Sequence, residues 1–164
     1  MRESGRESFE TWARSRQQGL VRSAYLLTGD FHRAEDLVQD ALVKAAARWD
    51  TLVGGHPDAW VRTVVYRDQV SWWRRHRREV FTTPREQTVP PAGETALVLR
   101  DALLLLTPRQ RAVLVLRYVE DLSLADTAHV LGLTVGSVKK HASVALARLR
   151  ETAPELEELL EERS

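Results

Sequence analysis

Apolar residues in this chain recur at intervals of three and four almost throughout, and the alternating pattern of a half-buried strand is rare. The spacing predicts a first helix over Glu7 to Leu27, with Phe9, Trp12, Leu20, Ala24 and Leu27 facing a core. Thr28-Gly29-Asp30 reads as a turn in which Asp30 caps the next helix. That second helix runs from about Phe31 to Trp49, with Ala34, Leu37, Val38, Ala41, Leu42, Ala45 and Trp49 as its apolar stripe. Gly54-Gly55-His56-Pro57 interrupts the pattern, and a third helix follows from Asp58 to about Arg78, burying Trp60, Val61, Val64, Val65 and Trp72.

Phe81 to Gly93 carries Thr-Thr-Pro and then Val-Pro-Pro-Ala-Gly, whose prolines disfavour helix. Four more helical segments follow. Glu94 to Leu106 is the first. Thr107, Pro108 and Gln110 form a capping box with proline at the first helical position, opening a helix to about Val119 that buries Ala112, Val113 and Leu116, with Leu114 and Tyr118 as a second apolar pair. Ser123 caps a short helix to Leu131, Gly132 ends it, and Thr134 caps a long helix through Arg150. The predicted fold class is therefore all-α: two small helical domains, 1–79 and 96–151, joined by a flexible Pro-containing linker, 80–95, and followed by an acidic tail, 152–164. The second domain contains a helix-turn-helix. Leu156, Leu159 and Leu160 would share one side of an acidic tail helix.

Composition adds exclusions. The 164 residues include no Cys, which removes disulfides, thiolate zinc sites and a cysteine nucleophile. No run approaches the roughly 20 apolar residues of a membrane span, and the charged N-terminus lacks a secretory core, so a cytoplasmic protein is expected. His32, His56, His76, His129 and His141 are dispersed, no Gly-rich phosphate loop is present, and nothing places Ser, His and Asp as a triad. No catalytic residue, metal site or cofactor is expected, and the chain is not read as an enzyme.

The net charge of +1 hides an asymmetry: Glu151 to Ser164 holds six Glu against one Arg, while Arg62 to Arg78 holds six Arg against one Asp. Thr134 to Arg150 adds four Lys/Arg and one His with no acid. Two basic stretches suit two contacts on a polyanion, or two solvated helix faces. On the last long helix, Val135, Val138, Ala142, Ala145, Leu146 and Leu149 form the inward stripe, so a rotation of about 100° per residue turns Gly136, Ser137, Lys140, Ser143, Val144 and Ala147 outward, with Lys139 and His141 at the flanks. This is the layout of a DNA-recognition helix, in which Lys139 and Lys140 reach phosphates or guanine edges; the plain alternative is a hairpin facing water. On the third helix, Arg62, Tyr66, Trp73 and Arg77 fall on one predicted face with Arg74 beside them. Rings interleaved with arginines suit single-stranded nucleic acid, or else the aromatics pack internally. On the second helix, Asp36, Gln39 and Asp40, with Glu35 adjacent, form an acidic face for a basic protein partner or for solvent. The acidic tail is expected to fold back on a basic helix and weaken free binding to DNA.

Two segments carry a resemblance. Ala34-Glu-Asp-Leu-Val-Gln-Asp-Ala-Leu-Val-Lys-Ala45 resembles the core-binding segment of bacterial RNA polymerase sigma factors, and Leu106-Thr-Pro-Arg-Gln-Arg111 with Ser123 to Arg150 resembles their C-terminal promoter-binding domain. With two domains and a short linker, the chain is similar to the extracytoplasmic-function class, over about Phe9 to Arg150. The resemblance implies that Glu35, Asp36, Gln39 and Asp40 dock on core RNA polymerase. It implies that Arg62, Tyr66, Arg67, Trp73, Arg74 and Arg77 serve the minus-10 element of promoter DNA and help open it. Gly136, Ser137, Lys139, Lys140, His141, Ser143 and Val144 would read the minus-35 element. An anti-sigma factor is a family-level expectation. Two positions depart from the family pattern: Arg67 stands where many relatives carry Asn, near the pocket for a flipped promoter base, and Val144 stands where relatives often carry a basic residue, which turns the expected reading toward apolar contact with a thymine methyl. The competing readings are a stand-alone helix-turn-helix regulator, which predicts a symmetric dimer, and a helical protein adaptor, which predicts no salt-dependent DNA binding.

Overall fold

The computed structural model describes residues 2–76 and 93–156, with side chains described from 96 onward in the second stretch. Every regular element among them is helical, and the chain divides into two compact units, Met1–Gln87 and Thr88–Ser164.

In the first unit, α1 (Glu3–Thr28) and α2 (Phe31–Ala47) form a hairpin. Gly29 takes a left-handed φ of 75°, which stops α1 and lets its N–H reach the Tyr25 carbonyl at 2.8 Å. The Asp30 carboxylate then accepts from the Arg33 N–H at 3.1 Å, capping α2. The predicted α2 stripe is buried throughout: Ala34, Leu37, Val38, Ala41, Leu42 and Ala45. The helix ends at Ala47, two residues short of the predicted end. Trp49 is still buried, but it opens a separate four-residue helix, α3 (Trp49–Leu52). Its ring packs edge-on against Phe9 at 5.4 Å and tilted against Trp12 at 5.1 Å, and α1 begins at Glu3, one turn before the predicted Glu7. The N-terminal turns carry aromatic contacts that a packed helix needs. The helix α4 (Pro57–Arg75) is tied to α1 at its first turn, where Asp58 accepts from Trp12 Nε1 at 2.8 Å and pairs with Arg16 at 3.2 Å.

In the second unit, α5 (Gly93–Leu104) leads through the capping box of Thr107 and Gln110 into α6 (Pro108–Leu114). The residues Val115–Val119, expected to continue α6, instead wind more loosely, with i to i+5 bonding such as Glu120 N–H to the Val115 carbonyl at 2.9 Å. The wider turn precedes Asp121, at φ 56°, and the entry to α7 (Leu124–Leu131). Gly132, at φ 65°, closes α7, and Thr134 caps α8 (Val135–Thr152) by accepting from the Ser137 N–H at 3.1 Å. Val113 of α6, Ala128 of α7 and Val138 of α8 meet at the centre, with Leu124, Leu131, Leu133 and Ala142 around them. Each such buried aliphatic side chain contributes about 1.5–3 kcal/mol. Val135 departs from the predicted stripe: at the first position of α8 it projects past the hairpin and is 39% exposed. Ala153 and Leu156, placed by sequence in the tail, are buried, and residues 157–164, including Leu159 and Leu160, lie outside the described residues.

Candidate protein-docking and nucleic-acid interfaces

The outer face of α2 is set by its inner one. Because the stripe is continuous, Glu35, Asp36, Gln39 and Asp40 are all turned to solvent. Sequence reasoning missed Val43, which lies one turn beyond Gln39 and Asp40 on this same face and is 68% exposed. An exposed apolar residue at the end of an acidic face suits a protein interface. The signal was an apolar residue out of phase with the stripe. Lys44, at the edge, is held away from the acidic face by its 2.8 Å bond to Asp68 of α4.

At the N-terminal end of α2, Arg33 turns toward α4. Its Nε donates to Gln69 Oε1 at 3.3 Å, and its guanidinium carbon lies 4.7 Å from the centroid of the Trp72 ring. Burial pushes its pKa below the ordinary arginine value; Asp36 and Asp40 oppose this, Arg75 adds to it, and Asp68 counters. Arg33 stays a cation at neutral pH.

The structure corrects the predicted face of α4. Tyr66 is buried, at 2% exposure, and so cannot stack on a base from this position. The physical reason is that the inward arc of α4 is wider than its aliphatic stripe: Val61, Val65, Tyr66 and Gln69 are all buried, and the tyrosine ring supplies apolar area that the short valines lack. Arg62 and Trp73 flank this arc and are half-buried. Trp72, predicted to be buried, is half-exposed, and its ring stacks on His76 at 4.7 Å. The exposed side instead presents Arg67, Ser71, Arg74 and Arg75. Of these, Ser71 and Arg75 were not singled out from sequence, although the helical rotation from Arg67 reaches both. Arg77 lies outside the described residues.

On α8 the outward residues Gly136, Lys139, Lys140, Ser143 and Val144 are exposed, and Ser137 and His141 are half-buried. A side chain at Gly136 would meet only Thr134 Oγ1, at 4.0 Å, so the first turn is open and its amides are accessible to an anion. Burial, Arg109 and then Lys140 push the His141 pKa below the ordinary histidine value. That places Arg109, from the first turn of α6, in the electrostatic field of the α8 face. Within the same unit, Arg111 of α6 reaches back to α5 and the turn that follows it. It is buried and donates from Nε to the Leu103 carbonyl at 3.0 Å and from Nη2 to the Leu106 carbonyl at 3.3 Å. Desolvation pushes its pKa down to about 10. Among the described residues, no group of His, Asp and Glu is arranged to hold a metal ion, and no helix is long and apolar enough to cross a membrane.

Comparison with known proteins bears on both units. The sigma-70 region 2 family matches residues 12–79, and sigma-70 region 4 matches residues 96–149. The RNA polymerase sigma-E factor of Streptomyces coelicolor is 39% identical over 150 residues, covering 87% of this chain and 84% of that protein. The ECF RNA polymerase sigma factor SigM of Mycobacterium tuberculosis is 32% identical over 154 residues, covering 88% and 76%. Among solved structures, the sigma factor RpoE of Bartonella quintana, in complex with the anti-sigma factor NepR, superposes with a TM-score of 0.74 at 29% identity, covering 88% of this chain and 96% of that one. With matches to both regions in order, and a relative above 30% identity along most of its length, the chain belongs to the extracytoplasmic-function family of RNA polymerase sigma factors.

Proposed function

We propose that this sigma factor directs core RNA polymerase to its promoters through three surfaces carried on separate helices. The α2 face of Glu35, Asp36, Gln39 and Asp40, with Val43 at its end, docks on a basic element of core polymerase. The cationic side of α4, with Arg67 and Arg74 at its centre and Arg62 and Trp73 at its edge, engages the minus-10 element and assists its opening. The α8 face of Gly136, Ser137, Lys139, Lys140, His141, Ser143 and Val144 reads the minus-35 element, with Val144 contributing apolar contact. The boundaries 1–79, 80–95, 96–151 and 152–164 divide these tasks, and the link between the domains raises the effective concentration of each at its own element. No chemical step is assigned to the chain: the polymerase supplies catalysis, and the pair acts in the cytoplasm. An anti-sigma factor is the expected inhibitory partner, as NepR is for the Bartonella quintana protein.

The observation that carries this reading is the segregation of charge within the first unit, an acidic face on α2 ending at the exposed Val43 and a cationic face on α4. A free DNA-binding regulator has no use for the first. The test is gel filtration with sigma-free core polymerase, the protein beside its Asp36→Ala, Gln39→Ala, Asp40→Ala variant. Co-elution that the variant loses is expected. Failure of the unaltered protein to co-elute, with a dimer peak in its place, refutes it.

A further inference from the structure

Helix α4 ends at Arg75 without a glycine stop, and its last turn carries Trp73 and Arg74. Such a turn frays unless other groups hold it. Here the holding groups converge on one residue, Trp72. His76 stacks on its ring at 4.7 Å with 18° between the planes, sets its own Nδ1 2.8 Å from the Trp72 carbonyl, and turns its backbone N–H onto the Trp72 and Trp73 carbonyls at 3.0 and 3.2 Å. From α2, the Arg33 guanidinium lies over the same ring at 4.7 Å and is steadied by Gln69. Arg33 is also three and seven residues before Asp36 and Asp40, on the acidic side of α2, and within their field.

We propose that Arg33 is a positioning residue that pins Trp72, keeps the last turn of α4 ordered for DNA, and thereby couples the docking face of α2 to the nucleic-acid face of α4. This rests on the function proposed above. The coupling follows from competition. The Asp36 and Asp40 carboxylates and the Trp72 ring draw on the same cation. A basic partner that takes the carboxylates leaves the ring and Gln69 as the remaining attractors of Arg33, and the clamp tightens. By linkage, DNA held on α4 strengthens docking by the same factor.

The test uses holoenzyme reconstituted from core polymerase and full-length protein, on a duplex that the unaltered holoenzyme selects from a random-sequence pool. Strand opening is read as permanganate reactivity of unpaired thymines, and core affinity is measured separately. Arg33→Gln is expected to bind core undiminished and to open the duplex about tenfold less, the fold-change equivalent to losing a partly desolvated cation–π contact. Arg33→Lys, which keeps a cation over the ring, restores most of the opening. In a Trp72→Leu background, Arg33→Gln adds less than a further factor of about two, because the group it acts through is gone. Unchanged opening in Arg33→Gln, additive losses in the double variant, or a parallel loss of core affinity overturns the proposal. Where Trp72→Leu does not fold, the lysine variant decides, and opening as poor as that of Arg33→Gln overturns it. An unaltered holoenzyme that selects no duplex overturns the underlying functional reading together with this one.

Discussion

Arg111 offers the sharpest energetic prediction, because a positive charge is buried there and donates to the carbonyls of Leu103 and Leu106. Desolvation that pulls the guanidinium down to about 10 corresponds to a cost of about 3 kcal/mol. Its bonds to the Leu103 and Leu106 carbonyls are charge-assisted, at about 1.5–3 kcal/mol each, and so offset that cost with a small surplus. Arg111→Met keeps the packing of the stem and removes the cost, the surplus and both donors. The Leu106 carbonyl, just past the end of α5, then loses this donor, at about 1–3 kcal/mol, while the Leu103 carbonyl keeps the Leu106 N–H at 3.1 Å. The balance is a destabilisation of about 2 kcal/mol, or a drop of about 8–16 °C in the melting temperature of a unit this size. Arg111→Lys is expected to be worse than Met, although it conserves charge: the ammonium is more strongly hydrated and cannot serve two separated carbonyls with a planar fork. All five Trp lie between residues 12 and 73, so tryptophan fluorescence follows the first unit while far-ultraviolet circular dichroism follows both. The expected result is a dichroism transition shifted downward in both variants with the fluorescence transition unmoved. Methionine and wild type melting together, or lysine proving milder than methionine, refutes the reasoning.

Two further outcomes are expected on the DNA side. His141 has a folded pKa below that of its unfolded state, so the unfolded chain binds more protons in the window below 6.5; the stability tied to this residue is complete above 6.5 and is lost as pH falls through the folded value. Phosphates against the α8 face favour the cation, so duplex binding should take up a proton and tighten as pH is lowered from 8 to 6, and His141→Gln should flatten the dependence. A wild-type affinity that does not vary over this range contradicts the placement of His141 at the interface. Truncation after Leu156 keeps the buried Ala153 and Leu156 and removes four Glu and one Arg. Binding of the free protein to duplex at low ionic strength should rise by about threefold as that negative charge leaves, and the gain should fade with added salt. No change in affinity excludes the tail as an electrostatic competitor of DNA.

Helix placement was legible because caps and stripes agreed. Asp30, Thr107, Ser123 and Thr134 each accept from the third backbone N–H beyond them, as their positions before apolar periodic runs required. What periodicity could not give was the width of a buried arc. On α2 the stripe is all aliphatic, and the outer acidic face followed directly. On α4 the stripe is built from valines and aromatics of unequal size, and Tyr66 reads as outward because its spacing from Arg62, Trp73 and Arg77 and its stacking ring suit a nucleic-acid face. Only the volume to be filled behind it decides otherwise. Arg111 was illegible for the opposite reason: a charged residue inside a helix reads as surface, and its burial depends on two carbonyls at the end of a different helix. The loosened turn at Val115–Val119 likewise depends on where the following chain must go, which no local pattern encodes.

The same difference between the two helices lets the first unit present an acidic face on α2 and a basic face on α4. A helix that buries one stripe offers one free face, and a protein needing both an acidic and a basic face must spend two helices and then prevent them from neutralising each other. The exposed acids of α2 and the exposed arginines of α4 do not pair with one another in the described ion pairs. Among the polar contacts described between the two helices are Lys44 with Asp68 and Arg33 with Gln69 and Trp72, in which Lys44, Arg33 and Asp68 each carry the sign opposite to their own face. Lys44 occupies Asp68 of α4, Asp58 at the other end of that helix is taken by Trp12 and Arg16, and Arg33 turns its charge onto an indole, which leaves Glu35, Asp36 and Asp40 of α2 and Arg67, Arg74 and Arg75 of α4 exposed. Exchanging the signs, as in Lys44→Glu with Asp68→Lys, would keep the pair while placing an acid at the rim of α2 and a base at the rim of α4. A pair that acted only as a structural tie would tolerate this fully. A pair that also sorts charge would gain affinity at both faces, which separates the two roles in one variant.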